Sequence, residues 1–236
     1  AIQLTEDTDG DGNVDQWGIG GMFPGDQNAL LHYVATNGAY LTKKVDGKVK
    51  FALNDGGKAA YVLNMMSELQ AANTVHGKWN AWDQFKNGNI GVYFLPLWAA
   101  QNTKNDNFKQ GMAYIPRGPQ SDKYVFGVDR NVYLSVPVTS EDPKPLVDLY
   151  LSIFPPEKIE EDLELRANNA DDVEGYELLM NMINNYELLT KYRTVLTNKN
   201  CWFWLGQIAG GKSSASEAFA EMEPKVQAAL DDFLGQ

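Results

Sequence analysis

The 236-residue sequence predicts an α/β fold. Short apolar runs bounded by glycine or proline alternate with helix-like segments as far as residue 154, and helical patterns alone follow. That order is typical of a sheet covered by helices. With 44% hydrophobic and 11% aromatic residues, the chain can bury a substantial core, either in one large domain or in two modest ones.

The first predicted elements are a strand, a helix and a hairpin. Trp17 to Met22 predicts a short strand that leads into a bend, and the turn-forming residues 23–28 precede an apolar helix from Ala29 to Ala35. Asn37-Gly38 closes this helix. Asp46-Gly47, which lies between lysine-rich segments, predicts a polar hairpin.

A clearer helix and two strands follow Asn54. Five apolar residues recur there at helical spacing and predict a stripe that faces the core: Tyr61, Val62, Met65, Met66 and Leu69. Ile90 to Leu95 predicts a buried strand that ends at Pro96. Gly111 to Ile115 predicts another strand, which ends at a stiff loop rich in proline and glycine.

The remainder of the chain is mainly helical in pattern. Val125 to Val138 predicts an extended segment, and Leu146 to Phe154 predicts a helix after Pro145. Helical patterns continue from Glu157. The last helix should begin at Ser214, because Ser214 and Glu217 form the sequence signature of a capping box.

An acidic loop near the start of the chain predicts a calcium site with a structural role. Oxygen ligands at alternate positions converge on a hard cation while a glycine at the sixth position supplies the turn. The predicted ligands are Asp7, Asp9, Asp11, the Asn13 carbonyl and Asp15. The twelfth position carries Gly18 instead of a bidentate Glu, so another oxygen must come from elsewhere in the fold. The alternative is a turn that Asp and Gly form for backbone reasons alone.

Composition and motifs exclude several classes of function. A net charge of -11 argues against binding to nucleic acid or to an anionic membrane surface. The single cysteine, Cys201, excludes an internal disulfide and disfavours a cysteine-based zinc site. His32 and His76 are the only histidines, and no motif for nucleophilic or zinc catalysis is present.

Several segments together resemble the family 1 extracellular solute-binding proteins of bacterial ABC importers, which include the maltodextrin-binding protein. Phe85 and Gly88 precede the predicted strand and Trp98 follows it, as in that family. The segment from Gly111 to Pro119 is similar to the strand and hinge that come next. Weaker matches are the Asp7–Gly18 loop, the Asn37–Tyr40 turn and the Gly211–Ala218 helix start.

This resemblance implies a type II periplasmic-binding-protein-like fold that lacks the first lobe. Residues 1–116 would form the second lobe, 117–190 a segment that returns to the first lobe, and 191–236 terminal helices that pack on the second lobe. The chain starts at Ala1 without a signal peptide, as a trimmed fragment would. The full-length protein would be extracellular or periplasmic, anchored as a lipoprotein, and its partner would be a membrane permease.

The resemblance also implies non-catalytic binding of a sugar or oligosaccharide in an aromatic-lined cleft. Trp98 matches the family's ligand-stacking tryptophan. Six residues would contact the ligand: Trp98, Phe23, Asp26, Asn28, Trp202 and Trp204. The six tryptophans and eleven tyrosines of the chain suit this task, because an aromatic face stacks on the apolar face of a pyranose.

Two alternatives and one expectation about assembly remain open. A calcium-dependent glycoside-acting enzyme would use a carboxylate pair as acid and base. A structural calcium-binding adhesion module would have no small-molecule cleft. In the importer interpretation, the apolar faces between Gly118 and Phe154 would lack their partners, so we expect the fragment to self-associate.

Overall fold

A computed structural model describes residues 1–22, 29–78, 80–104, 107–128, 135–158, 161, 173–189, 191–192, 195 and 200–236. Its α-helices are Leu30–Thr36 (α1), Lys58–Ala71 (α2), Trp82–Lys86 (α3), Lys144–Ile153 (α4), Val173–Asn184 (α5), Cys201–Ala209 (α6) and Ala215–Leu234 (α7). Its strands are Trp17–Gly21 (β1), Thr42–Val45 (β2), Lys48–Phe51 (β3), Ile90–Phe94 (β4), Phe126–Val128 (β5) and Tyr186–Leu188 (β6). Short 3-10 helices span Ile2–Leu4, Asp55–Gly57 and Leu97–Asn102.

The strands form both parallel and antiparallel pairs. β1 runs parallel to β4, with Trp17 opposite Ile90, and Ile19 also bridges to Val75. β2 and β3 form an antiparallel hairpin, and β5 pairs parallel to β6. The hairpin turns at Asp46-Gly47, where both residues have positive φ as a tight two-residue turn requires. This mixture of helices and paired strands confirms the predicted α/β class.

The main hydrophobic core joins segments that are far apart in the sequence. α1 contributes Leu30, Leu31, Tyr33 and Val34, and α2 adds Leu63 and Met66, which are fully buried. Leu205 of α6 and Met222 of α7 are fully buried in the same cluster. Because burial of apolar area is the main favourable term in folding, the C-terminal helices stabilise the first third of the chain.

Several boundaries predicted from local patterns are confirmed. The first strand, the first helix, the polar hairpin and the helix after Asn54 all occur close to their predicted positions. Ser214 caps α7 as predicted. Its Oγ accepts the Glu217 N–H at 3.2 Å, and the Glu217 side chain accepts in return from the Ser214 N–H.

Four structural details of the sequence prediction are wrong. The chain after residue 154 is not helical throughout, because Tyr186–Leu188 forms the strand β6. Tyr61 and Met65 lie beside the buried stripe of α2 and are 49% and 38% exposed. β4 is not buried throughout, because Val92 is 45% exposed. Gly111 to Ile115 forms no strand, since its backbone joins no ladder with the described strands.

A buried asparagine fixes the loop that leads to β5. Asn37 is fully buried at the end of α1, and its Nδ2 donates to the Lys58 carbonyl at 2.8 Å and to Gln120 Oε1 at 2.9 Å. Its Oδ1 accepts the Gln120 N–H at 2.9 Å. Gly118 lies so close that a Cβ there would sit 2.3 Å from Asn37 Oδ1. The loop is therefore held directly against α1.

The outer side of β3 is bonded to side chains of the C-terminal region. Gln227 Oε1 accepts the Phe51 N–H at 2.9 Å, and its Nε2 donates to the Val49 carbonyl at 3.1 Å. Gln236 accepts the Val49 N–H at 3.0 Å and donates to the Val49 carbonyl at 2.8 Å. The side-chain amides of Gln227 and Gln236 thus bond to backbone groups of β3 that do not pair with β2.

Candidate functional site

An open cleft of about 1670 Å³ lies beside β4. We call it the cleft; its described walls are β4, the turn that follows β4, residues 108–116, the segment 125–128 and apolar side chains of α5. Most of these lining side chains are apolar or aromatic. That character is typical of ligand sites, in which a few polar groups orient an otherwise apolar contact.

Trp98 lies on the wall of the cleft and is 54% exposed. Pro96 ends β4, and a 3-10 helix begins directly after it, with the Ala99 N–H donating to the Pro96 carbonyl at 2.9 Å. Ala99 and Ala100 are buried, so they anchor this short helix while Trp98 projects from it. Trp98 is therefore a half-exposed side chain on the cleft wall, and its contact with a ligand stays a prediction.

Aromatic side chains support the same wall. Phe85 packs against Tyr93 at a centroid distance of 5.3 Å and edge-on against Phe108 at 5.6 Å. Burial raises the pKa of Tyr93 to about 12, so its phenol stays neutral at physiological pH. Each of these contacts fixes a ring at the cleft. The cleft lining therefore includes a cluster of packed aromatic rings, formed by Phe85, Tyr93 and Phe108.

A second aromatic group lies at Tyr114, which also lines the cleft. Its ring stacks on Tyr124 with centroids 5.2 Å apart and an interplanar angle of 29°. Its hydroxyl accepts a hydrogen bond from Asn181 Nδ2 at 3.0 Å, and Arg117 lies 5.9 Å from the Tyr124 ring. No sequence pattern indicates this group, because Asn181 is 67 positions from Tyr114.

The described lining of the cleft contains no Asp or Glu. Lys109 and His32 are the basic side chains among those lining residues. A pair of carboxylates for acid–base cleavage of a glycosidic bond is therefore not found there.

The other predicted ligand residues are placed differently. Phe23, Asp26 and Asn28 fall outside the described residues. Trp202 is 9% exposed and belongs to the main core, and Trp204 is partly buried against that core with Lys225 Nζ 5.7 Å from its ring. These positions favour packing over ligand contact, and neither tryptophan is among the described lining residues of the cleft.

An ionic contact joins β6 to the loop before β5 and to Tyr40, which follows α1. Glu187 accepts from the Tyr40 hydroxyl at 2.7 Å and from Lys123 Nζ at 2.5 Å. Burial by itself would raise the pKa of Glu187, but the hydrogen bonds from Lys123 and Tyr40 and the charge of Lys123 hold the pKa below its ordinary value. The same contact with Glu187 raises the pKa of Lys123. The pair is therefore ionised over the physiological range and links β6 to the loop before β5.

The acidic loop brings together some of its predicted ligands. Single carboxylate oxygens of Asp7, Asp9 and Asp15 lie within 4.8 Å of one another. Asp11 is not part of this group, and its carboxylate accepts instead from the Asn13 backbone N–H and side-chain amide. Hydrogen bonds from the Thr8 hydroxyl and N–H lower the pKa of Asp15, so this carboxylate stays charged.

The Asp7 carboxylate organises the turn of that loop. It accepts the backbone N–H of Gly10 at 2.7 Å and of Gly12 at 2.8 Å. Such bonds shape any turn that is rich in Asp and Gly, whether or not a cation is bound. Three converging carboxylates have the oxygen chemistry that Ca²⁺ prefers, so the residues present fit the predicted ion.

Comparisons with known proteins give one informative result. No family model matches the sequence, and no curated protein matches it. A solved structure similar to this chain is the maltose/maltodextrin-binding domain MalE from Bdellovibrio bacteriovorus bound to maltotriose. The TM-score is 0.61 at 15% sequence identity, over 100% of this chain and 64% of that chain. This chain thus spans about 64% of the neighbour's length, and the likeness shows that it has a MalE-type solute-binding fold.

Proposed function

We propose that this chain is part of the substrate-binding component of an ABC importer and binds a sugar or oligosaccharide without acting on it chemically. The observation that carries this proposal is Trp98, a half-exposed indole on the wall of a large cleft. The shared fold supports it, since the MalE neighbour is described as bound to maltotriose.

The chemistry of the cleft suits a carbohydrate. A pyranose presents C–H groups on one face and hydroxyls at its rim, so a flat aromatic surface beside polar groups recognises it. Trp98 supplies the flat surface, and Gln110 is a polar side chain in the same lining. Tryptophan is usually well buried, and its exposure at a concave surface is therefore typical of a binding site.

We further propose the lobe arrangement that the resemblance implies. Residues 1–116 would form one lobe with residues 191–236 packed on it, and 117–190 would pass to the other lobe. Every residue of α4 is exposed, although the helix carries apolar residues such as Leu149 and Ile153. Burial of that helix against a further lobe would remove this exposed apolar surface from water. A lipoprotein anchor and a permease partner belong to the same proposal.

The acidic loop is proposed as a structural calcium site. Asp7, Asp9 and Asp15 would supply carboxylate oxygens, with Asp11 and the Asn13 carbonyl as the further predicted ligands. Ca²⁺ takes six to eight oxygen ligands, and exposed loops can complete that number with water. The ion would then fix the approach of the chain to β1.

The two alternatives have less support. A glycoside-acting enzyme needs two carboxylates at the ligand, and the described lining offers none. An adhesion module predicts no small-molecule cleft, whereas β4 borders a large one.

No helix among the described residues has the length and apolar character needed to cross a membrane.

Calorimetric titration with maltotriose and a panel of neutral oligosaccharides tests the proposal. Replacing Trp98 by Ala removes one stacked ring, so affinity should fall by about 1–3 kcal/mol, or about 5- to 150-fold. Tyr61→Ala is a matched control, because Tyr61 is an exposed aromatic residue on α2 outside the cleft lining. An equal affinity for wild type and Trp98→Ala, or cleavage of any oligosaccharide, would contradict the proposal.

A further inference from the structure

We propose that Tyr114 forms a second stacking subsite in the cleft, which takes the apolar face of an uncharged pyranose ring. Tyr124 and Asn181 act as positioning residues for it. This inference rests on the proposed sugar-binding function and adds a contact separate from Trp98.

Tyr114 is one of the residues that line the cleft. It lies in the segment 111–116, which forms no strand and contributes consecutive residues to the cleft lining. Leu179 and Met182 of α5 line the same cleft and are buried beneath it. Asn181 lies on the same helix, so α5 supplies both the apolar floor and the hydrogen bond to Tyr114.

Tyr114 is held in one orientation by two contacts. The Tyr124 ring covers it at 5.2 Å, and Asn181 fixes its hydroxyl at 3.0 Å. Arg117, 5.9 Å from the Tyr124 ring centroid, extends the stack. A ring that is already ordered loses little conformational entropy when a ligand stacks on it, which is the advantage of a preorganised site.

The charges of the cleft disfavour a cationic ligand. Among the described lining residues no carboxylate is available to pair with a cationic amino sugar. The Lys109 ammonium in the same lining would oppose a positive charge. A phenol that accepts from an amide can still donate its own O–H to a ring hydroxyl, so Tyr114 offers both a flat face and a polar contact.

A purely structural role for Tyr114 makes a different prediction. If Tyr114 only ties the 111–116 segment to α5, its replacement lowers the melting temperature and leaves the affinity of the folded protein unchanged. If it stacks on the ligand, the aromatic ring itself determines affinity. Tyr114→Phe keeps the ring and removes the hydroxyl, whereas Tyr114→Leu keeps apolar volume and removes the ring.

The experiment is calorimetric titration of the intact chain with maltotriose, the neutral oligosaccharide panel and a glucosamine trimer. We expect Tyr114→Leu to weaken neutral-sugar binding by about 5- to 50-fold and Tyr114→Phe by less than about 3-fold. Asn181→Ala removes the same hydrogen bond as Tyr114→Phe, so it should also weaken binding by less than about 3-fold, with an unchanged melting temperature because Asn181 is exposed. The glucosamine trimer should bind more weakly than its neutral counterparts.

The outcomes separate this inference from the proposed function. If Trp98→Ala weakens binding and Tyr114→Leu does not, the second subsite is refuted while sugar binding stands. If the wild-type chain binds no sugar of the panel, both are refuted. Tighter binding of the glucosamine trimer would refute the uncharged-ligand assignment. If Tyr114→Leu does not fold, Tyr124→Leu decides, because it removes the ring that covers Tyr114 and Tyr124 is exposed, and wild-type affinity in that variant would overturn the inference.

Discussion

Replacement of Asn37 by Ala should lower the free energy of unfolding by more than the loss of one ordinary hydrogen bond would. Asn37 is fully buried and makes three neutral hydrogen bonds of 2.8–2.9 Å, to the Lys58 carbonyl and to two groups of Gln120. Each such bond contributes about 0.5–1.5 kcal/mol net, and partners left without a bond add a further cost. Gln120 is exposed, so water can replace part of the loss. We therefore expect a decrease of about 2–3 kcal/mol in the free energy of unfolding.

Urea denaturation followed by far-UV circular dichroism measures this loss. A decrease of that size should lower the transition midpoint by about 1 M if the slope is about 2–3 kcal/mol/M. Asn54→Ala is the matched control, because Asn54 is exposed and its bond to Glu223 lies at the surface. Its expected cost is below about 1 kcal/mol. Equal midpoints for the Asn37 and Asn54 variants would refute the reasoning.

Three further predictions concern the acidic loop, the ionic contact and the exposed helix. A calcium chelator should lower the melting temperature, since an ion at about 100 times its dissociation constant stabilises the folded state by about 2.7 kcal/mol. Asp9→Ala should remove that response. An unchanged melting curve in both experiments would mean that the acidic loop is only a turn. The folded pKa of Glu187 is held below its ordinary value of 4.5, so its contribution to stability is present above about pH 4.5 and is lost as the pH falls through the folded value. Glu187→Gln should therefore flatten the acid limb of stability against pH, and a limb identical to wild type would contradict the ionic contact. Light scattering at high protein concentration should show that the chain self-associates. Leu149→Glu should reduce this self-association, because Leu149 is 58% exposed on an apolar helix. A strictly monomeric wild-type chain would contradict this prediction.

Local sequence signals predicted the elements whose causes are local. The Ser214 capping box and the Asp46-Gly47 hairpin depend on residues within a few positions of each other, and both occur as predicted. The exposure of Tyr61 on α2 was not predicted. Apolar residues at helical spacing indicate which side of a helix faces the core, but the width of the buried stripe depends on packing partners that the local pattern does not identify.

The candidate site was only partly predictable. The resemblance drew attention to Trp98, and the structure places that side chain at the cleft. Tyr114 could not be identified, since its role depends on Tyr124 and on Asn181, a residue of a distant helix. Trp202 was predicted as a further part of the aromatic wall, but it is buried in the core through contacts with elements from the first third of the chain. Long-range packing decides which aromatic residues reach a cleft.

The glutamine contacts along β3 have a consequence for the behaviour of the protein at high concentration. A strand edge with unbonded N–H and C=O groups can recruit a strand from another molecule and begin aggregation. Gln227 and Gln236 bond to the N–H and the carbonyl of Val49 and to the N–H of Phe51, as a neighbouring strand would. The hairpin is thereby shielded by side chains that cannot themselves propagate a sheet. Loss of both amides would leave the fold largely intact while opening a site for intermolecular β-pairing.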